Sequence, residues 1–549
     1  MNSESAHDAR VAGTTTGESA GAAAAFGAAA GALAVSRAGL VRSGPEPVTD
    51  ASAVGAAAAS RDESAGMAAP AVGSARSGGA SQSESGSGPA VSKAAGAATP
   101  GTATATAALG AWVSGLDAGA VPAEVIDRLS LVLLDVLGVT AVGASLPEHG
   151  ALRKVWRAPA GSAPLVGAGR TVATDAAAWL NAMALVSLEL DEGNKFAKGH
   201  PAAHGFPAVL ALAAELDSTG ADTAAALLAA YEVASRFGRA TSARAGVHPH
   251  GNWGVAGSAA GCARLLGLSA EATAAAIDTG AGMAIAGHFD SATDGNPVRN
   301  AWMGASAMSG LAAARMAAAG MARNTGTAAL SLGTLLGQFD SAQLTDELGV
   351  RWDITRGYFK RHASCSFTHP AADALLDLRG EPGFRTDGIT GILVESHALG
   401  AGLTGTEWSN RLSAMFSTPF VVATAALTGT VGPDSALDDP AVRELARRVR
   451  LVAADDLTAR LPAERAVRAT VRFADGSTLV REVPNPIGDA DHHPLSEQDV
   501  IALLKGWLPG QPEFVDRAVA LSHDLPGLPR VGDALRGLGG TEEEEKETN

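Results

Sequence analysis

Glu189, Asp191 and Glu192, then Lys195 and Lys198, then His200 and His204 fall within sixteen consecutive positions of a chain otherwise rich in alanine. Carboxylates, fixed cations and imidazoles at that density are the materials of proton transfer on an anionic substrate. The stretch, "LELDEGNKFAKGHPAAHGFPAVLALAAEL", lies between two apolar helix-like runs. Read as the end of the first helix, its acids would oppose the macrodipole, so helix stability alone does not call for them. A solvated loop is the plain alternative.

Three further segments place polar side chains at the edge of an apolar helix. In "GVHPHGNWGVAGSAAG", His248 and His250 flank a proline, and Gly251 and Asn252 precede a small-residue helix. Such an N-terminus can hold an anion or depress a histidine pKa, or can simply be a capping turn. In "DSATDGNPVRNAWMGASA", Arg299 stands at the mouth of the next helix. In "YFKRHASCSFTHPAADALLDL" come Lys360, Arg361, His362, Cys365 and His369. Cys365 has no base beside it in sequence and reads as a buried thiol rather than a nucleophile.

This inventory suits removal of a proton next to a carboxylate, because fixed Lys and Arg can stabilise the doubly charged intermediate. An Asp with two His could instead hold a divalent ion, yet no HExxH or matched ligand pair appears, so no metal is expected. No Walker or dinucleotide glycine motif follows a strand, so no nucleotide is expected either.

The elements that position these residues are mostly helices. The 549 residues are 46% hydrophobic, much of it alanine, the best helix former. In "PAEVIDRLSLVLLDVLGVTAVGA", Val125, Leu129, Val132, Leu133 and Val136 form one stripe, with Pro122 near the start and Gly138 near the end. Further helices that are apolar nearly all round suit the inside of a bundle. From Trp352 the pattern becomes β-rich, with Asp475–Gly476 signalling a hairpin. The expected fold is mainly α: a large helical domain over 106–351 and 487–538, and a smaller α+β lid over 352–486. Residues 1–105 are Ser, Gly, Ala, Thr and Pro with little to bury, and read as a disordered tail; 539–549 read as an acidic one. The run "AGAAAAFGAAAGALAV" reads as neither signal peptide nor membrane anchor.

The formal charge of −16 provides no basic surface for nucleic acid. Cys262 and Cys365 form no zinc spacing and no disulfide framework, which fits a reducing cytoplasm. The expected partner is a small carboxylate, with no nucleic acid and no membrane.

In order and approximate spacing, the four charged segments resemble successive blocks of the MmgE/PrpD family, over about Ala107 to Val531. That family includes 2-methylcitrate dehydratase, cis-aconitate decarboxylase and iminodisuccinate epimerase. The resemblance implies a helical main domain with a smaller α+β lid, a cofactor-independent site between them, and a homodimer. Asp191 falls in the family's acidic motif, with Glu192 where a second aspartate is common. His200 matches the histidine of a His-Pro pair, and His248 that of the glycine-rich turn. Arg299 occupies a Lys or Arg position, and Lys360 matches the family lysine. Gly193-Asn194-Lys195 and Phe420 depart from the pattern; several relatives have Tyr at the latter position. If that hydroxyl donates a proton in them, this chain needs another donor or runs different chemistry.

The expected function is a lyase of dehydratase type, similar to 2-methylcitrate dehydratase, acting on a small hydroxy di- or tricarboxylate. Asp191 or His248 would remove the α proton and His200 would protonate the leaving hydroxyl. Lys360 and Arg299 would bind carboxylate, with Asn194, Lys195, Arg361 and Phe420 also against the substrate. An epimerase or decarboxylase on the same scaffold, or a non-catalytic carboxylate- or partner-binding protein, are the alternatives. Lys360→Ala is expected to abolish turnover while leaving the protein folded.

Overall fold

The computed structural model describes residues 99–539. The alanine-rich run and the acidic tail lie outside them, as does most of the N-terminal tail; its last residues already belong to a helix that begins at Thr99.

Counting α-helices longer than six residues, the chain runs α1 (Thr99–Ser114), α2 (Ala123–Ala144), α3 (Pro147–Trp156), α4 (Thr174–Val186), α5 (Pro201–Leu216), α6 (Gly220–Ala240), α7 (Val255–Leu265), α8 (Ala270–Gly282) and α9 (Val298–Ala318). Two small antiparallel pairs interrupt them, β1 (Ala163–Leu165) with β2 (Arg170–Val172) and β3 (Thr241–Ala243) with β4 (Gly337–Phe339). The α6 helix is buried almost all round and packs on α5 and α7. Its run of Ala and Gly permits that close approach, which larger side chains would hold open.

The helix α2 buries the predicted stripe, Val125 to Val136, but does not stop near Gly138; it continues to Ala144. The glycine is there for a neighbour and not for a terminus. A Cβ at Gly138 would overlap the side chain of Leu504. Leu504 belongs to α13 (Glu497–Trp507), which with α14 (Pro512–Asp524) returns to the first core through Val500, Leu504, Phe514, Val515 and Ala518.

Between α9 and α13 lies a second core. It packs α10 (His369–Arg379), α11 (Thr418–Thr428) and α12 (Pro440–Ala446) against a four-stranded sheet. The strands are β5 (Ile389–Ser396), β6 (Val449–Ala453), β7 (Val467–Phe473) and β8 (Thr478–Val483), in the order β6-β5-β7-β8. β5 pairs with β6 in parallel and with β7 antiparallel, while β7 and β8 form a hairpin through Asp475–Gly476. Inward residues of β7 alternate, Val467, Ala469, Val471 and Phe473, as a sheet with one packed face requires. The changeover comes later than Trp352: Trp352, Ile354, Phe359 and Ala363 still pack in the first core, and the second begins at Ala371. Among the described residues, no single helix is long and apolar enough to cross a membrane.

Candidate active site

The helix α4 ends at Val186, so Glu189, Asp191 and Glu192 stand in the loop beyond it and not on its last turn. The loop folds back on itself. Asn194 N–H donates to Gly199 O at 2.8 Å, and the Asn194 side-chain oxygen accepts from Phe196 and Ala197 N–H at 2.9 and 3.1 Å. That turn brings His200, the residue before α5, against Asp191. Two non-glycine residues of this loop hold left-handed backbone, Glu189 (φ 52°) and Lys198 (φ 60°). Strain of that kind persists where the surroundings over-determine it, and it concentrates at functional sites.

A second segment is zipped onto the loop. Gly193 N–H donates to Tyr358 O at 3.1 Å and Tyr358 N–H to Gly193 O at 2.7 Å. A Cβ at Gly193 would collide with the Tyr358 hydroxyl, so the glycine makes room for the ring. Tyr358 and Lys360 leave the extended segment on the same side. Lys360 Nζ reaches Glu189 Oε2 at 3.2 Å and Asp191 Oδ1 at 3.5 Å. Arg299, from α9, pairs with Glu189 Oε1, donates to Val186 O at 2.7 Å and lies 3.3 Å from His250 Nε2. Five residues picked out in the sequence, Asp191, His200, His248, Arg299 and Lys360, thus form one buried cluster, completed by Glu189 and His250.

The ring nitrogens divide the labour. His200 Nδ1 lies 2.7 Å from Glu192 O and 3.0 Å from Asp191 Oδ2. A nitrogen facing a carbonyl and a carboxylate carries the proton, which leaves Nε2 without a partner among the described residues. Burial works against charge on this ring, but the Asp191 carboxylate outweighs it and raises the pKa to about 8. Burial also disfavours the Asp191 carboxylate, and His200 with Lys360 more than compensates, holding it below the ordinary range. His248 has the reverse arrangement. Its Nδ1 accepts the His250 N–H at 3.1 Å, so in the neutral ring the proton sits on Nε2. Burial, then the charge of His200, pulls His248 down to about 3, and it stays neutral.

A cavity of about 1350 Å³ meets this cluster and is lined from both cores. His200, His248, His250, Arg299 and Glu189 line it, as do Tyr358 and Cys365. Asp191 and Lys360 do not; they stand behind His200 and Glu189. Lys195 lines it too, yet its Nζ is held by Asp489 at 3.1 Å and Asp491 at 2.9 Å.

Three residues expected against the substrate lie elsewhere. Asn194 shapes the turn and donates to Asp353 O at 2.9 Å. Arg361 pairs with Asp373. Phe420 packs edge-on against Trp408, 4.9 Å between centroids, inside the second core. Sequence reasoning in turn passed over Tyr358 and Arg465, which both line the cavity. Tyr358 had a signal, as one of two tyrosines in the chain and two positions from Lys360. Arg465 had none, since it looks like any polar residue before a strand. Burial pushes the Cys365 thiol up, as expected of a buried, unreactive cysteine. Among the described residues, no group of three or more His, Cys, Asp or Glu side chains is arranged to hold a metal ion.

Residues 107–334 match the MmgE/PrpD N-terminal domain, and residues 362–507 match the MmgE/PrpD C-terminal domain. A cis-aconitate decarboxylase of Aspergillus terreus is 24% identical over 77% of this chain and 92% of its own. A second from that species is 25% identical over 70% of this chain and 85% of its own. A cis-aconitate decarboxylase-like protein, oryM, of Aspergillus oryzae is 29% identical over 50% of this chain and 61% of its own.

Proposed function

The chain belongs to the MmgE/PrpD family, an enzyme of the small-carboxylate dehydratase or decarboxylase type, and from that premise we propose that it is a cofactor-independent lyase turning on the Nε2 proton of His200. The observation that carries this is the His200 ring, with Nδ1–H fixed toward Asp191 and Glu192 and Nε2 open to the cavity.

For dehydration of a hydroxy di- or tricarboxylate, neutral His200 takes the proton α to a carboxylate. The C–H electron pair delocalises into that carboxylate. The carbon–oxygen bond then breaks, the double bond forms, and the hydroxide accepts the Nε2 proton and leaves as water. The Arg299 guanidinium and His248 Nε2–H stabilise the charge that develops. Asp191 is a positioning residue that orients the imidazole and stabilises its charged form. His248 acts as a hydrogen-bond donor rather than a base, because its Nδ1 is already occupied. Lys360 neutralises Glu189 and Asp191 and does not itself bind substrate.

A second reading is favoured by the names of the relatives, two of which are cis-aconitate decarboxylases. There the carbon–carboxylate bond breaks, carbon dioxide leaves, and the carbanion takes the Nε2 proton of charged His200. The same histidine serves both reactions from opposite protonation states. An epimerase would return the proton to the other face of the carbon. A cytoplasmic homodimer belongs to the same proposal, carried by the family resemblance, and light scattering of the purified chain tests the dimer.

The purified chain is to be incubated with hydroxy- and unsaturated di- and tricarboxylates in deuterated water. Deuterium entering a substrate or product carbon, lost by about 10²–10⁴-fold in folded His200→Gln, supports the proposal. Turnover untouched by His200→Gln overturns it.

A further inference from the structure

On the footing of the carboxylate lyase proposed above, we infer that Arg465 and Ser366 form a second carboxylate-binding subsite of the same cavity, away from the carbon that reacts. The cations around the cavity are not equivalent. Arg299 is paired with Glu189, and Lys195 with Asp489 and Asp491. Lys198 gives its protons to the carbonyls of Gly238, Arg239 and Thr241. Arg239 lies 3.7 Å from Asp353.

Arg465 is 9% exposed and lines the cavity, yet it makes no ion pair among the described residues. One guanidinium nitrogen donates to Ser366 Oγ at 3.1 Å, and the guanidinium lies 5.1 and 5.5 Å from the ring centroids of Tyr358 and Phe367. Its backbone N–H donates to Asn485 Oδ1 at 3.0 Å, which fixes the segment that carries it. A buried arginine with no anion is costly, and the guanidinium fork has donors to spare for a planar carboxylate. Tyr358 and Phe367 flank the guanidinium, and Ser366 adds a hydroxyl beside it.

Arg465 belongs to the chain segment leading into β7 and Ser366 to the turn just before α10, whereas His200, His248 and Arg299 come from the helical part. A substrate reaching both must carry at least two carboxylates. One lies at the histidine cluster, next to the carbon that is deprotonated or decarboxylated, and the other lies on Arg465. Monocarboxylates would fill half the site.

Isothermal titration of the full chain with three unreactive acids tests this: butyrate, succinate and tricarballylate. The wild type should bind the two polyacids, and Arg465→Gln should weaken them by about 10–100-fold while leaving butyrate unchanged. Ser366→Asp provides the check should Arg465→Gln fail to fold. Its own carboxylate would occupy the fork, so polyacid affinity should fall while the melting temperature holds or rises. Polyacid affinity unchanged in the folded variants, or butyrate bound as tightly as succinate by the wild type, overturns the subsite and leaves the His200 chemistry standing. Failure of the wild type to bind any of the three acids overturns the subsite and the carboxylate lyase together.

Discussion

Lys360 has no exposed side-chain surface and stands between Glu189 and Asp191, so its removal is expected to destabilise the fold as well as the site. Breaking a buried pair by deleting one partner leaves the other charge uncompensated, at about 3–5 kcal/mol. Lys360→Ala is therefore expected to lower stability by that amount, measured by urea unfolding. In the Glu189→Gln background the loss should shrink, because one of the stranded charges is gone. An unchanged midpoint for Lys360→Ala would remove the lysine from the account of the cluster. From sequence, Lys360 and His200 were legible as members of one site because their types and spacing repeat a known pattern. Their depth was not legible. Nothing in "YFKRHAS" distinguishes a lysine that meets substrate from one standing behind the residues that do. The same limit applies to Asn194, where an amide that shapes a turn and an amide that binds a ligand are spelled alike.

At the level of elements, Gly138 shows how a correct pattern yields a wrong boundary. A glycine near the end of a stripe normally marks a terminus, but here it admits Leu504 from a helix 366 positions away in sequence, a relation no local window contains. Two effects compete on Gly138→Ala. Helix propensity favours alanine by about 1 kcal/mol, while overpacking costs about 1–3 kcal/mol. Because the added carbon would overlap Leu504 itself, the second should win and the variant should melt lower. In a Leu504→Ala background the sign should reverse, since the space is then open. Thermal denaturation of the four proteins checks both statements. The sheet was easier to foresee, since β7 alternates strictly and its hairpin turn is local, whereas the parallel pairing of β5 with β6 joins segments that carry no mark of each other.

Among the described residues, the histidines with displaced pKa values fall into two classes with opposite consequences for pH. His149, His204, His248, His250, His369 and His397 are each driven below the ordinary value, with burial the leading cause. Their unfolded forms take up protons first, so stability falls as pH drops below about 6.5, by up to about 1.4 kcal/mol per pH unit for each. His200 goes the other way. Its contribution is complete below the unfolded value and is lost as pH rises through about 8. Burial pushes the carboxyls of Glu192 and Glu232 up to about 7 and about 8, and that of Asp135 up as well, and these three oppose the six rings over the same range. On balance the melting temperature is expected to fall from pH 7 to pH 5, and one that rises would contradict the burial of these rings. Composition announced the helical body, the long-range return of α13 and α14 was only suggested by it, and the proton chemistry needed the fold to bring residues from four segments together. The most direct test is the pH dependence of kcat/KM for a confirmed substrate, in wild type and His200→Gln. Dehydration should rise through a pKa near 8 and decarboxylation should fall through it, with the dependence abolished in the variant. A profile flat across that range, or one that His200→Gln leaves in place, would contradict the assignment of the transferred proton to His200.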